Sequence, residues 1–334
     1  MKLFSALLTE IDAQGTANTS LQQIPFATLK SDEVLIKVQY SSLNYKDALS
    51  ANGHKGITRH FPHIPGIDAA GVIVSDVSNT FKKGEEVLVT GFDLGMNTHG
   101  GLSEYVSVPK GWVISKPPTL TLMQCMQWGT AGLTAAMAIY QLQKNDIMPQ
   151  KGPVLVTGAT GGLGMISIKL LNKLGYKVCA LTRKVDQTGF LKSIGAIEVV
   201  DTQEFLEDKS KALYAQNFAG GMDTVGGDVL VKLLKSLQNG GAVAACGMAK
   251  DVDLPLQIYP FILRGAKLLG IYSADSPLVY KTEIWNRISS DWQIDLSEIS
   301  KVISLADAPA YLQNMLQAKS FGRIVVQINS SQIL

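Results

Sequence analysis

The chain of 334 residues has little cysteine, little net charge and no long hydrophobic run. Its three cysteines, Cys125, Cys179 and Cys246, stand singly in apolar stretches. Without a C-x-x-C pair they point away from a disulfide framework, and buried free thiols in a reducing cytoplasm are the expectation. Lysine and arginine number 30 against 28 acidic residues, a net charge of +2. Such a balance offers no broad positive surface, so neither nucleic acid nor anionic membrane is an expected partner. Charge is also missing from Pro117 to Gln143. Four glutamines, several threonines and an opening Pro-Pro interrupt that stretch, which reads as a buried helix and not as a membrane span. The N-terminal apolar stretch meets Glu10 too early to be a signal-peptide core.

What is present is enough apolar residue, 46% of the chain, for two domains with their own cores. Residues 1–122 read as mostly strand. Val34–Tyr40 alternates apolar and polar positions, Gly71–Val74, Glu86–Thr90 and Tyr105–Val108 are further short runs, and Asn44–Ala51 is the clearest helical piece. From residue 123 strands and helices alternate, which predicts a doubly wound parallel sheet. Thr202–Phe218 reads as a helix there, and Gly240-Gly241 as the stop of a helix with the stripe Val229, Leu230, Leu233, Leu234 and Leu237. Residues 276–334 add a helix around Ala308–Ala318 and a strand at Arg323–Ile328. The expected fold class is α/β: a nucleotide domain over 123–275 inserted into a discontinuous β-rich domain of 1–122 and 276–334.

Val154–Lys184 carries the most chemistry. Val154–Val156 is a short apolar run; Gly158, Gly161, Gly162 and Gly164 follow, then Leu163, Ile166, Leu170, Leu171 and Leu174 at helical spacing. Gly175 stops that helix and Tyr176–Leu181 is a second run. Strand, glycine turn, helix and parallel strand make a βαβ unit. The glycines let backbone amides and a helix N-terminus approach an anion, and a dinucleotide pyrophosphate is the natural one. The second strand ends Thr182-Arg183-Lys184. A carboxylate there would hold the ribose hydroxyl of NAD; two cations attract the 2′-phosphate of NADPH instead.

The order of motifs resembles the medium-chain dehydrogenase/reductases, in their zinc-free, quinone-oxidoreductase-like branch. The strings that carry the resemblance run from Ser41 to Leu49 (SSLNYKDAL), Phe61-Pro62 with Ile64 to Asp68 (IPGID), and Gly129 to Gly132 (GTAG). Asp223 to Gly226 (DTVG), Ala244 to Gly247 (AACG) and Pro260 to Arg264 (PFILR) complete them. Together they are similar to the bacterial NADPH-dependent acrylyl-CoA reductase group. The resemblance implies a GroES-like β-barrel substrate domain, a Rossmann domain for NADPH, and a nicotinamide held between the two. It places Thr160, Gly161, Gly162 and Leu163 at the pyrophosphate and Thr182, Arg183 and Lys184 at the 2′-phosphate. Met248, Ile262 and Ser273 fall towards the nicotinamide half, Tyr45 beside the nicotinamide, and Arg323 near the cofactor from the returning C-terminal segment. The group more often has Ser-Gly-Arg where this chain has Thr182-Arg183-Lys184, so which of the three grips the phosphate stays open.

No metal is expected. Where zinc-dependent relatives place a Cys this chain has Asn44, and their Gly-His-Glu reads Gly66-Ile67-Asp68; residues 84–120 hold no Cys for a structural zinc. His60 and His63 lie among prolines and read as loop residues. Hydride addition to an activated C=C or to a quinone needs no Lewis acid. For an enoyl thioester, charge develops on the thioester oxygen and a proton must reach the α-carbon. Asn44 and Tyr45 are the catalytic candidates, with packing and cofactor positioning as their plainer role. Lys46, Lys55 and Arg59 suit either CoA phosphates or open solvent. Three functions stay open: reduction of a short 2-enoyl thioester such as acrylyl-CoA, NADPH:quinone reduction, and non-catalytic NADPH binding. Tyr259–Ser273 holds the last sheet strand, whose uncovered edge would favour a homodimer.

Overall fold

The protein is described here by a computed structural model that covers residues 2–28, 30, 33–208 and 210–328. Two compact units form. One contains Met1–Thr130, Ser273–Ser290 and Asp295–Leu334; the other contains Ala131–Tyr272 and Asp291–Ile294.

The first unit opens with an antiparallel hairpin of β1 (Leu3–Ile11) and β2 (Ala17–Pro25). Its turn forms because Asp12 Oδ1 accepts from the amides of Gln14 and Thr16 at 2.9 and 2.8 Å. Next come β3 (Val34–Ser42), α1 (Tyr45–Ala51), β4 (Asp68–Ser75), β5 (Glu86–Thr90), β6 (Tyr105–Val108) and β7 (Ile114–Ser115). Helix α2 (Leu122–Lys144) follows, and its backbone leaves the helical region at Gly129 (φ 50°, ψ −157°). The boundary between the units falls one residue later.

The second unit carries β8 (Val154–Thr157), α3 (Gly162–Lys173), β9 (Val178–Thr182), α4 (Thr188–Ser193), β10 (Ala196–Asp201) and α5 (Thr202–Phe205). It continues with β11 (Phe218–Asp223), α6 (Gly227–Lys235), β12 (Leu237–Ala245), α7 (Tyr259–Arg264) and β13 (Lys267–Gly270). The chain then returns to the first unit with α8 (Leu278–Ile288), β14 (Ser300–Ser304), α9 (Ala308–Leu316) and β15 (Arg323–Gln327).

In the first unit seven strands make a mixed sheet in the order β14-β15-β3-β4-β5-β7, with β6 on β3. The period-two pattern of β3 puts Val34, Ile36 and Val38 inward, each 1% exposed. They pack with Ile73, Val87, Val89, Val106, Ile324 and Val326. Burial of each such side chain stabilises the unit by roughly 1.5–3 kcal/mol.

In the second unit six parallel strands run β10-β9-β8-β11-β12-β13. The first strand in sequence therefore lies beside the fourth. Both are buried along their whole length, as strands covered on two faces must be. Between their carboxyl ends the strand order reverses, and such a switch point opens a crevice. Among the described residues no helix is long and apolar enough to cross a membrane.

Two expected elements differ. The helix expected over Thr202–Phe218 stops at Phe205. Beyond it Asp208 turns the chain by accepting from the amide and hydroxyl of Ser210, and Phe218 already begins β11. Gly240-Gly241 does not end a helix: α6 stops at Lys235, and the glycines lie inside β12 where its register with β11 shifts. Between Phe218 and Gly220 β11 advances two residues while β12 advances five, from Leu237 to Ala242, so the extra residues are accommodated as an irregularity in the ladder.

Candidate active site

In the second unit the glycine turn leaves an open cradle. Gly158 follows β8 with φ 60°, and a Cβ there would meet Thr224 Oγ1 at 2.2 Å. A Cβ on Gly164 would meet the Gly158 carbonyl at 2.4 Å, so α3 rests directly on the turn. Gly161 precedes that helix and supplies no side-chain cap. The amide of Met165 donates to the Gly161 carbonyl at 2.9 Å. The amides of Gly162, Leu163 and Gly164 come before it, at the positive end of a helix of 12 residues. Thr160 beside them is buried. Backbone donors that a side chain would obstruct fit a pyrophosphate.

The neighbouring crevice is held by a polar clasp. Thr157 Oγ1 donates to Asp223 Oδ1 at 2.7 Å, and Asp223 Oδ2 accepts from the Gly226 amide at 2.8 Å. Burial pushes the Asp223 carboxyl up, and these hydrogen bonds pull it back. The loop after β12 is fastened to the same place: the amides of Cys246 and Ala249 donate to the carbonyls of Asp223 and Thr224. Met248 projects from that loop and is exposed, as is Ile262 on α7. Ser273 lies in the first unit and is buried.

At the end of β9 the three candidate phosphate residues separate. Thr182 is buried, and its hydroxyl accepts from the Lys184 amide at 3.0 Å. Arg183 is exposed and Lys184 half-buried. Burial and then the Arg183 charge push the Lys184 ammonium down. An anion shared by the two cations would relieve that repulsion.

The first unit holds a different kind of centre, built on Asp68 at the start of β4. Its side chain is fully buried. Asp68 Oδ2 accepts from Ser42 Oγ at 2.6 Å, Asn44 Nδ2 at 2.8 Å and Arg323 Nη2 at 3.1 Å. Asp68 Oδ1 accepts from the Thr130 hydroxyl at 2.6 Å and its amide at 2.9 Å. Arg323, 2% exposed at the start of β15, donates from Nε to Gln127 O. From Nη1 it reaches Leu43 O and Asn44 Oδ1, and from Nη2 Ser42 Oγ and Asp68. Its donor fork is filled by protein acceptors.

Gly129 makes this packing possible. A Cβ there would stand 2.1 Å from Arg323 Nη2 and 2.6 Å from Asp68 Oδ2, so the break in α2 is the room the ion pair needs.

Asn44 and Tyr45 enter α1 beside this centre and differ in availability. The Asn44 amide nitrogen has acceptors in Asp68, in Asp47 and in the Ser42 carbonyl, the last two at 3.3 Å. Asp47 fixes the turn by accepting from the Asn44 and Ile67 amides at 2.7 and 2.8 Å. Burial, and then Asp68, push the Asp47 carboxyl up to about 7. Tyr45 is 43% exposed.

Two of the expected site residues are engaged within the protein. Arg323 points its fork inward and serves as an internal clamp. Asn44 is engaged in the same way. The expectations missed Ser42, Asp68, Gly129 and Thr130 as one cluster. A signal existed: Asp68 and Arg323 are lone charges of opposite sign, each beginning an otherwise apolar strand, and buried charges occur in pairs.

For metals, Asn44, Ile67 and Asp68 offer one carboxylate, and that is spent on Arg323. His63 is buried and stacked on His99 with centroids 5.5 Å apart. Burial lowers it to about 4. Among the described residues no three His, Cys, Asp or Glu side chains come together to hold an ion. This donor set does not fit zinc.

Comparison with known proteins gives the lineage. Residues 30–118 match the alcohol dehydrogenase GroES-like domain, and residues 162–290 match the zinc-binding dehydrogenase domain. YhfP of Bacillus subtilis, which carries a quinone-oxidoreductase name, is 42% identical over 98% of this chain and 99% of its own. The chain belongs to the medium-chain dehydrogenase/reductase family. Within that family the acrylyl-CoA reductase AcuI of Ruegeria pomeroyi is 36% identical, over 98% of this chain and 100% of its own. The structure of Escherichia coli YhdH with bound NADPH superposes with a TM-score of 0.94 at 39% identity, covering 97% of this chain and all of that one. YhfP crystallised with NAD bound superposes equally well, with a TM-score of 0.94 at 43% identity, over 98% of this chain and all of that one. The medium-chain reductase fold thus accounts for both units of this protein.

Proposed function

We propose that the protein reduces the activated C=C of a short 2-enoyl thioester with NADPH, acrylyl-CoA to propanoyl-CoA foremost, and without a metal. The observation that carries this reading is the near full-length likeness to an acrylyl-CoA reductase, joined to a glycine cradle followed by Arg183 and Lys184. Gly161, Gly162 and Leu163 would hold the pyrophosphate by their amides, with Thr160 beside them. Arg183 and Lys184 would hold the 2′-phosphate, with Thr182 ordering the backbone between them. Met248, Ile262 and Ser273 are proposed towards the nicotinamide half. NADPH, when bound, supplies the hydride.

The protein's own part is to meet charge and deliver a proton. Tyr45 is exposed at the first turn of α1, and a phenol there can donate to a thioester oxygen or orient a water. Asn44, Asp68 and Arg323 hold the turn that carries it. Lys46, Lys55 and Arg59 are proposed as attractors of CoA phosphates.

A panel of acrylyl-CoA, crotonyl-CoA and a simple quinone, each run with NADPH and with NADH, tests the reading. Turnover of quinone without either thioester would overturn it in favour of quinone reduction, the reading suggested by the name of YhfP. The NAD found in YhfP makes the NADH arm necessary. Equal use of NADH would remove the phosphate role of Arg183 and Lys184.

The domain boundaries at residues 122 and 276 belong to the same proposal, and so does a reducing, cytoplasmic setting for three unpaired thiols. A homodimer is proposed through the free edge of β13. Leu268 on that strand, and Tyr259, Ile262, Leu263 and Tyr272 around it, are exposed apolar side chains. A monomeric mass by light scattering would rule it out.

A further inference from the structure

Lys281 on α8 is the most completely buried amine in the first unit, at 0% exposure. Among the described residues no carboxylate forms an ion pair with it. Its ammonium donates to the carbonyls of Thr90 and Ala274, each at 2.6 Å, and stands 3.3 Å from the centroid of the Phe92 ring. Two carbonyls and one π-face thus take the three directions of the ammonium. An isolated cation is an expensive thing to bury, and a methionine would fill the same volume without that cost. The charge is kept where it fastens three pieces of chain together.

Phe92 is the piece under strain. Its φ is 54°, a genuine outlier for a bulky side chain. Such conformations persist where the surroundings over-determine them, and they cluster at functional sites. Three contacts do so here. The Phe92 amide donates to the Ala274 carbonyl at 2.8 Å, the same oxygen that Lys281 grips. Its ring stacks on Trp112 at 5.4 Å and 3°. Its other face lies under the ammonium.

The location is adjacent to the Asp68 centre. Thr90, held by Lys281, is the register partner of Asp68, and the Gly91 amide donates to the Ile67 carbonyl at 2.8 Å. From Asp68 one hydrogen bond leads to Asn44, and Tyr45 follows it. Phe92 leaves the sheet at the end of the strand beside that centre, and its ring is only half-buried.

We propose that Lys281 is a positioning residue that sets the Phe92 ring as the apolar wall against the acyl end of the substrate, so that the pair selects chain length. This rests on the thioester reading above. The ring limits the space beyond the β-carbon, and the clamp on Thr90 and Ala274 keeps the ring from retreating.

The test compares kcat/KM for acrylyl-CoA and crotonyl-CoA in wild type, Phe92→Leu, Lys281→Met and the double variant. In Phe92→Leu the ratio should move towards crotonyl-CoA by about tenfold, the scale set by one methyl group in an apolar pocket. Lys281→Met should move it in the same direction, with the affinity for NADPH unchanged. The double variant should match Phe92→Leu alone, because a residue acting through the ring adds nothing once the ring is gone. An unchanged ratio in Phe92→Leu overturns the proposal even if Lys281→Met fails to fold. Additive shifts overturn the role of Lys281. A wild type that reduces neither thioester sinks the functional reading itself, and is told apart from these outcomes at the first measurement.

Discussion

The two centres of this protein solve opposite problems with the same residue type. In the second unit, glycines at 158 and 164 bring a strand end and a helix start together and leave backbone amides without side-chain partners. In the first, Gly129 also clears space, but two charged side chains fill it at once. Arg323 and Asp68 consume each other's hydrogen-bonding capacity, and Ser42, Asn44 and Thr130 take what remains. One centre presents backbone donors that a bound anion would complete. The other completes itself, and its product is a fixed position for α1 and Tyr45. Removing a side chain should harm the second kind, whereas adding one should harm the first.

The largest effect is expected where the self-completed centre is opened. Arg323→Met leaves Asp68 buried without its counter-charge, and should cost about 3–5 kcal/mol of folding stability, read from urea unfolding. Replacing both partners with apolar residues should recover much of that loss. If it does not, the polar shell around the pair matters more than the charge balance. The ligand-completed centre should respond to additions. Gly164→Val puts a Cβ 2.4 Å from the Gly158 carbonyl, and NADPH affinity by fluorescence titration should fall by at least about tenfold, with roughly 1–3 kcal/mol lost in stability. A variant that unfolds before it loses the cofactor would blur the contrast between the centres.

Smaller effects sharpen it. Arg183→Ala with Lys184→Ala should weaken NADPH binding about tenfold to a hundredfold, as for lost hydrogen bonds between charged groups, and leave NADH binding where it was. Tyr45→Phe should lower kcat for the thioester and spare both stability and NADPH affinity. Unchanged kcat would remove Tyr45 from the chemistry. The mildest test uses pH. Burial lowers the Lys281 ammonium from 10.5 to about 7, while Asp275 and Asp68 raise it and Lys46 lowers it further. A depressed folded-state value means that the unfolded chain binds the proton more tightly. Its contribution to stability is then complete above 10.5 and lost as pH falls through about 7. The Tm of wild type relative to Lys281→Met should rise between pH 7 and 9.

The open centre was legible in the sequence because its chemistry is local. Strand, glycines, helix and cations lie within one βαβ unit, where spacing alone carries the geometry. The closed centre was not, because its members are 255 residues apart along the chain at Arg323 and Asp68. No periodicity joins them. A sequence shows the donors of Arg323 and Asn44 but not the acceptors that already occupy them. The same limit hid Lys281: a lysine in an amphipathic helix reads as a surface residue until two carbonyls and a ring are found around it. The expected helix through Phe218 failed for a nearer reason, the turn at Asp208.

The state of the three cysteines has a bearing on durability. Cys125 and Cys179 are buried, and burial pushes both thiols up to about 12; Cys246 is also raised, with Asp223 adding to the effect. Acrylyl thioesters and quinones are both electrophiles that alkylate thiolates. A protein that handles either all its life would be inactivated by its own substrate if it displayed a thiolate. Burial holds all three thiols above their ordinary range and so disfavours the thiolate. Mass spectrometry after long turnover should then find all three unmodified.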